Sequence, residues 1–205
     1  MDAETWNQAY LQQPLIWKAA PNRLFSSLVA GLTPGKALDL GAGEGGNAVW
    51  LAEQGWSVTA VDFSTTALER AGALARDRGV ELDLVEADVL SYQPEDAAFD
   101  LVALLYLQLP MDQLKDILKS AVRALAPDGH LIVIAHDVRN LEEGVGGPQD
   151  ARVLLDPKSA VEQLADLEIV RTATVTRSVE GADRPALDAL IVARRPSGTS
   201  TKEKT

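Results

Sequence analysis

Residues 36–47 read Lys-Ala-Leu-Asp-Leu-Gly-Ala-Gly-Glu-Gly-Gly-Asn, a short apolar strand that runs into a glycine-rich turn and then a helix. Glycine supplies the positive φ such a turn needs and lets a ligand lie directly against the main chain. The N–H groups at the start of the following helix point at that ligand, so the segment reads as a nucleotide site. Gly41, Gly43 and Gly46 have the spacing of a dinucleotide loop, so the glycines by themselves leave the nucleotide open. Asp62, Asp88 and Asp137 stand where later strands should end. A carboxylate accepts both hydrogen bonds of a cis-diol, or one from an exocyclic amine. Each aspartate taken alone also suits a helix cap or a turn.

Proton-transfer chemistry points to His136, since histidine as a residue type suits acid–base exchange and Asp137 stands beside it. The alternative for it is a loop histidine hydrogen-bonded to backbone. Tyr106 follows the fourth strand, where it either meets a ligand or packs in the core. His130 falls at the start of a strand, on the opposite edge, and reads as structural. Two histidines and scattered acids show no metal-ligand spacing, so no metal is expected.

The elements that must hold these residues alternate. Leu24, Phe25, Leu28, Val29 and Leu32 share one face of a helix over 22–32. The glycine-loop strand and a helix over 48–54 follow. A strand over 57–61 ends at Asp62, and Ser64 caps a helix that runs to Arg78 and stops at Gly79. A strand over 80–87 ends at Asp88, and 99–105 is apolar throughout, as in the buried middle of a parallel sheet. Helix 111–126 is terminated by Pro127-Asp128-Gly129, and strand 131–135 leads to His136. Repeated strand–helix–strand units give a parallel sheet with helices on both faces. After a short helix over 157–164, strands 168–179 and 186–194 are joined by so short a turn that they must pair antiparallel. The expected fold is α/β, Rossmann-like and doubly wound: a mostly parallel seven-stranded sheet with a C-terminal antiparallel hairpin. Residues 1–195 read as a single domain and 196–205 as a disordered tail.

The chain has 205 residues, a net charge of −11 and no cysteine. That sign opposes the phosphate backbone, so nucleic acid is not the expected partner. The missing cysteines exclude disulfides, thiolate metal sites and a cysteine nucleophile. Asp2 and Glu4 do not open a signal peptide, and the longest apolar run, 101–107, is far short of the roughly 20 residues that span a bilayer. The expectation is a cytoplasmic protein, monomer or homodimer, with no membrane contact.

Leu38-Asp39-Leu40-Gly41-Ala42-Gly43-Glu44-Gly45 resembles motif I of class I S-adenosylmethionine-dependent methyltransferases. The resemblance extends over residues 22–195 and includes the closing hairpin. It implies that Asp39, Gly41, Ala42, Gly43, Glu44, Gly45 and Asn47 cradle the methionine end of the cofactor. It implies that Asp62, with Phe63 and Ser64, takes the ribose hydroxyls, that Asp88 and Val89 meet the adenine, and that Leu105 lines the same site. S-adenosyl-L-methionine would be the donor and S-adenosyl-L-homocysteine the product. The Trp-and-Tyr N-terminus, Glu44 and the small core look most like the tellurite-resistance and thiopurine methyltransferase-like group, which implies a small-molecule acceptor. Leu104-Leu105-Tyr106-Leu107 stands where amino-group methyltransferases of DNA and of protein glutamine keep Asn-Pro-Pro-Tyr, which counts against those substrates.

Methyl transfer from a sulfonium is an in-line displacement, so positioning and desolvation matter most. His136 is the candidate base for a protonated acceptor and Tyr106 a candidate contact. Trp6, Tyr10, Trp17 and Arg23, in and just after segment 1–21, read as a lid over cofactor and acceptor, or as a helix simply packed on the sheet. Asp137 stands on the acceptor side. Residues 141–150, with Gly144, Gly146, Gly147 and Pro148, make a long connection at that edge, which shapes the acceptor pocket or is only a loop. Two other readings remain at this point: a protein that binds the cofactor without turnover, and an NAD(P)-dependent oxidoreductase.

Overall fold

The computed structural model describes residues 3–12 and 19–197; Trp17 and the tail from residue 198 lie outside the described residues. Seven strands, β1 (Lys36–Leu40), β2 (Ser57–Asp62), β3 (Asp83–Glu86), β4 (Phe99–Leu105), β5 (Leu125–His136), β6 (Glu168–Arg177) and β7 (Ala186–Arg194), form one sheet. Their order is β3-β2-β1-β4-β5-β7-β6. β1 to β5 run parallel, and β7 lies antiparallel between β5 and β6, as the short turn required. The chain winds outward from β1 to β3 and then returns to the other side of β1 as β4. That reversal puts the topological switch point at the carboxyl ends of β1 and β4, the place where open α/β sheets hold ligands in a crevice.

Helices α1 (Ala3–Gln12), α2 (Arg23–Val29), α3 (Gly46–Glu53), α4 (Thr65–Arg78), α5 (Met111–Ala124), α6 (Asn140–Glu143) and α7 (Pro157–Val161) surround the sheet. β4 explains why both faces are covered. Val102 and Leu104 pack with Leu114, Ile117 and Leu118 of α5, while Leu101, Ala103 and Leu105 pack with Phe25, Leu51 and Trp56. Truncating one of these buried leucines to alanine removes about 2–5 kcal/mol. α4 is bounded as its sequence dictates: the Ser64 hydroxyl accepts from the Ala67 N–H at 3.1 Å, and Gly79 ends the helix at φ 68°. Such an N-cap contributes about 1 kcal/mol.

Three elements depart from the sequence expectation. β3 is four residues rather than eight, because as an edge strand it has only β2 to pair with. Pro127-Asp128-Gly129 does not separate α5 from the next strand. β5 already begins at Leu125 and absorbs the turn as a bulge, with Asp128 at φ 66° and the register jumping from Phe99–Leu125 to Leu101–His130. The connection after β5 carries α6 and a 3-10 turn at Ala151–Val153. Buried Asn140 anchors it, donating to the Gly146 carbonyl at 2.8 Å and accepting from the Leu187 N–H at 2.7 Å. No helix among the described residues is long and apolar enough to cross a membrane.

Candidate active site

The turn after β1 is made by Gly41, Gly43 and Gly45, at φ 77°, 54° and 78°. The N–H groups of Gly41 and Ala42 donate to the Val61 carbonyl at 2.9 and 3.0 Å, and the Gly43 N–H donates to Asp62 Oδ2 at 2.8 Å. Gly45 is required for a second reason: a Cβ there would stand 2.6 Å from the Cβ of Ala71 on α4. The loop is thus stitched to the end of β2 and pressed against α4, with α3 starting directly after it.

Two carboxylates flank this loop. Asp39, in β1, is buried, and its Oδ2 has no hydrogen-bond partner. Burial, with the nearby charge of Asp62 adding to it, pushes its carboxyl up to about 7. Asp62, at the end of β2, accepts from the N–H groups of Ser64 at 2.9 Å and Gly43 at 2.8 Å. Burial raises its carboxyl, and the backbone bonds from Ser64, Gly43 and Phe63 pull it part of the way back. No described arginine or lysine bonds either group. Each Asp62 oxygen keeps a second lone pair. A ligand bearing a cation and a vicinal diol would satisfy what these carboxylates lack, so the residues present fit S-adenosylmethionine.

The other expected cofactor residues are dispersed around the switch point. Glu44 is buried and paired with Arg70 at 2.6 Å, and Arg70 also donates to the carbonyl of Tyr10. Ser64 donates its hydroxyl to Asn7, so α1 is tied both to α4 and to the loop. Trp6 and Tyr10 stack at 5.7 Å between ring centroids, with Tyr10 buried. Asn47 accepts from the Asn22 N–H at 2.8 Å. Phe63 is half-buried and Leu105 is buried. Asp88 lies two residues beyond β3, exposed, where its Oδ1 accepts from the Leu90 N–H at 2.9 Å and its carbonyl from Ser91 and Tyr92. It therefore caps a turn, and Val89 packs on the core beside it. Arg23 is exposed at the start of α2.

Past β4, Tyr106 takes φ 55°, unusual for a side-chain-bearing residue. Its N–H donates to the Ile134 carbonyl at 2.6 Å, and its hydroxyl donates to Asp188 Oδ2 at 2.7 Å and receives Asn22 Nδ2 at 3.4 Å. Arg177 Nε donates to the same Asp188 Oδ2 at 2.7 Å. Register explains the meeting: His136 of β5 is directly opposite Asp188 of β7, with their side chains on one face. His136 Nδ1 is buried 3.4 Å from Asp188 Oδ1 without completing a hydrogen bond, and its ring lies 5.1 Å from that of Tyr106. Burial, the Asp188 charge and the bond to it push the Tyr106 hydroxyl up to about 12, against a smaller pull from Arg177. At neutral pH Tyr106 is therefore a donor and not a base. Burial alone would raise Asp188, but its contacts with His136, Arg177 and Tyr106 outweigh that and hold it below the ordinary carboxylate range.

Asp137, expected on the acceptor side, is buried and already taken up: it accepts from the Thr174 hydroxyl at 2.6 Å and the Arg139 N–H at 2.9 Å. Asp188, Arg177 and Asn22 are the residues that sequence reading passed over. Asp188 left a signal, as the one charged residue in the apolar run of β7. Arg177 and Asn22 left none, because only the sheet register and the chain crossing bring them to Tyr106. His130 lies six residues before His136 in β5, just past the bulge, near Asp128 and Arg194 and away from this cluster.

The comparisons agree with this geometry. A family model described as a methyltransferase domain matches residues 37–129. The 2-heptyl-1-hydroxyquinolin-4(1H)-one methyltransferase of Mycobacteroides abscessus is 30% identical over 121 residues, 58% of this chain and 53% of that protein. The demethylmenaquinone methyltransferase of Thermus thermophilus is 35% identical over 103 residues, 49% of this chain and 47% of that protein. The chain thus spans about half the length of the curated relatives it matches. The fold is shared with the N-methyltransferase NodS from Bradyrhizobium japonicum, solved with S-adenosyl-L-homocysteine, at a TM-score of 0.74 and 18% identity, over 96% of this chain and 100% of that one. The motif I loop, the strand order and the matched domain agree, so the chain is similar to S-adenosylmethionine-dependent methyltransferases over residues 37–129 and shares their Rossmann-like fold.

Proposed function

We propose that this protein transfers the methyl group of S-adenosylmethionine to a small organic acceptor, within one domain spanning residues 1–195. The observation that carries the reading is the pair of buried, cation-free carboxylates, Asp39 and Asp62, set on either side of the glycine turn. When bound, S-adenosylmethionine supplies an electrophilic methyl group on a positively charged sulfur. Asp62 holds the ribose hydroxyls, the Gly41–Gly45 backbone supports the amino-acid end, and Asp88 and Val89 border the adenine. α1, bound to the loop through Arg70 and Glu44, covers the donor and excludes water, a role in which Trp6 and Tyr10 provide the apolar surface. The net charge of −11 supports a small molecule rather than a nucleic acid as acceptor.

The names of the relatives make hydroxyquinolinones and menaquinone-like quinones the first acceptors to test. Binding is measured by calorimetry with S-adenosylmethionine, S-adenosylhomocysteine and NADH in parallel, and turnover by release of S-adenosylhomocysteine across the acceptor panel. Binding of both adenosyl ligands and turnover with one acceptor are expected. Binding of NADH alone would overturn the reading, and tight binding with no turnover on any acceptor would leave a cofactor-binding protein.

A further inference from the structure

The acceptor-side cluster has a geometry that goes beyond donor binding. Asp188 directs its two oxygens differently. Oδ2 takes both the Tyr106 hydroxyl and Arg177 Nε, each at 2.7 Å. Oδ1 is left with the weak approach of Arg177 Nη2 and with His136 Nδ1, each at 3.4 Å. His136 Nδ1 is fully buried and has no other hydrogen-bond partner. A neutral imidazole carries one proton, and a buried nitrogen facing a carboxylate is the place where that proton gains a bond. The other ring nitrogen then carries a lone pair.

We propose that Asp188 fixes His136 with its proton on Nδ1, so that Nε2 acts as the base toward the methyl acceptor, and that this acceptor is a neutral molecule with a weakly acidic hydroxyl. The inference rests on the methyl-transfer reading and names the acceptor chemistry of that same site. Charge supports the second half. Arg177 and Arg139, the two arginines bonded at this edge, are already paired, with Asp188 and Asp137. Tyr106 faces Asp188 as a neutral donor, and Asn22, which reaches the Tyr106 hydroxyl, is also uncharged. The bonded cluster thus holds no spare cation for an oxyanion or a thiolate, and a protein of net charge −11 repels such anions at long range. An acceptor that arrives ionised would also have no need of an oriented base.

The step balances. The acceptor oxygen forms its bond to the methyl carbon as the carbon–sulfur bond breaks and its electron pair passes to sulfur. The hydroxyl proton passes to His136 Nε2, and the resulting imidazolium faces the Asp188 carboxylate. Gly147 lets the loop backbone lie against the imidazole, since a Cβ there would stand 2.9 Å from Nδ1 and Cε1. The ring is thereby confined between the loop and Tyr106.

The chain contains two histidines, so side-chain nitrogen NMR of the uniformly labelled protein resolves them, with His130 as internal reference. In the wild type, His136 is expected to show a protonated Nδ1 and an unprotonated Nε2. In Asp188→Asn the proton moves to Nε2 and His130 is unchanged. Turnover of a phenolic or N-hydroxy acceptor falls about 100-fold or more in that variant, with S-adenosylmethionine affinity within twofold of wild type. A protonated Nε2 in the wild type would overturn the proposal without any variant having to fold, as would an unchanged tautomer in folded Asp188→Asn. Faster turnover of a thiolate than of every hydroxyl acceptor would overturn the assigned acceptor class. Failure of the methyl-transfer reading itself would appear separately, as loss of cofactor binding in calorimetry.

Discussion

The Gly43 N–H donates to Asp62 Oδ2 at 2.8 Å, so the residue proposed to meet the ribose also fixes the turn proposed to support the amino-acid end. On that proposal, donor recognition is built as one unit from β1, the loop and β2, rather than as separate contacts.

Asp62→Ala is therefore expected to lose more than a ribose contact. Removal of both backbone bonds, from Gly43 and Ser64, frees the loop and the start of α4. Affinity for S-adenosylmethionine should fall more than tenfold in calorimetry, with a stability loss of about 1–3 kcal/mol in urea unfolding. Unchanged affinity would remove Asp62 from the donor site.

Asp39 makes stability depend on pH with a definite sign. Its folded-state carboxyl is raised from 3.8 to about 7, so between those values the folded protein binds more protons than the unfolded chain. The contribution of Asp39 to stability is then complete below pH 4 and declines as pH rises through 7. Asp39→Asn should raise the Tm of the cofactor-free protein at pH 8 and leave it nearly unchanged at pH 4. The cationic donor, which favours the ionised carboxylate, should bind the wild type more tightly at pH 8 than at pH 6, and Asp39→Asn should flatten that trend.

Gly147→Ala places a methyl group against His136 at a backbone φ of 73°. A stability loss of about 1–2 kcal/mol is expected from the strained φ and the contact. If the loop limits the acceptor site, KM for the acceptor rises while affinity for S-adenosylmethionine does not change. An unaltered KM would assign the loop no part in acceptor binding.

Arg70→Ala cuts the tie between α1, α4 and the glycine turn. Limited proteolysis should then cleave within the first 20 or so residues faster than in wild type, and bound S-adenosylmethionine should slow the cleavage less. Equal cleavage rates would mean that α1 is held by its aromatic packing and not by the guanidinium.

The loop, cap and strand ends of the proposed donor half were legible because their determinants are local. Positive-φ glycines, a serine cap and aspartates at strand ends are written in consecutive residues, and β4, β7 and α4 carry equally local signals, an unbroken apolar run and flanking punctuation. The acceptor half was not. Asp188 stood out in an apolar strand, but its partners are set by which residue of β5 and β6 lies opposite, and a register shift of one would turn its side chain to the other face. Asp128 misled for a related reason: a Pro-Asp-Gly sequence ends a helix or bulges a strand according to the neighbour it pairs with, which here is Phe99 and Leu101 of β4.

The strand order that inserts β7 beside β5 divides the polypeptide by task. Apart from Leu105, the residues proposed for the donor are in place by about residue 90, whereas Asp188, proposed to orient the base, comes only near the end. A change in the last two strands can thus retune what is methylated while the methyl source stays untouched. The hairpin is then the natural cassette for exchanging acceptors, provided that the position opposite His136 keeps its acid.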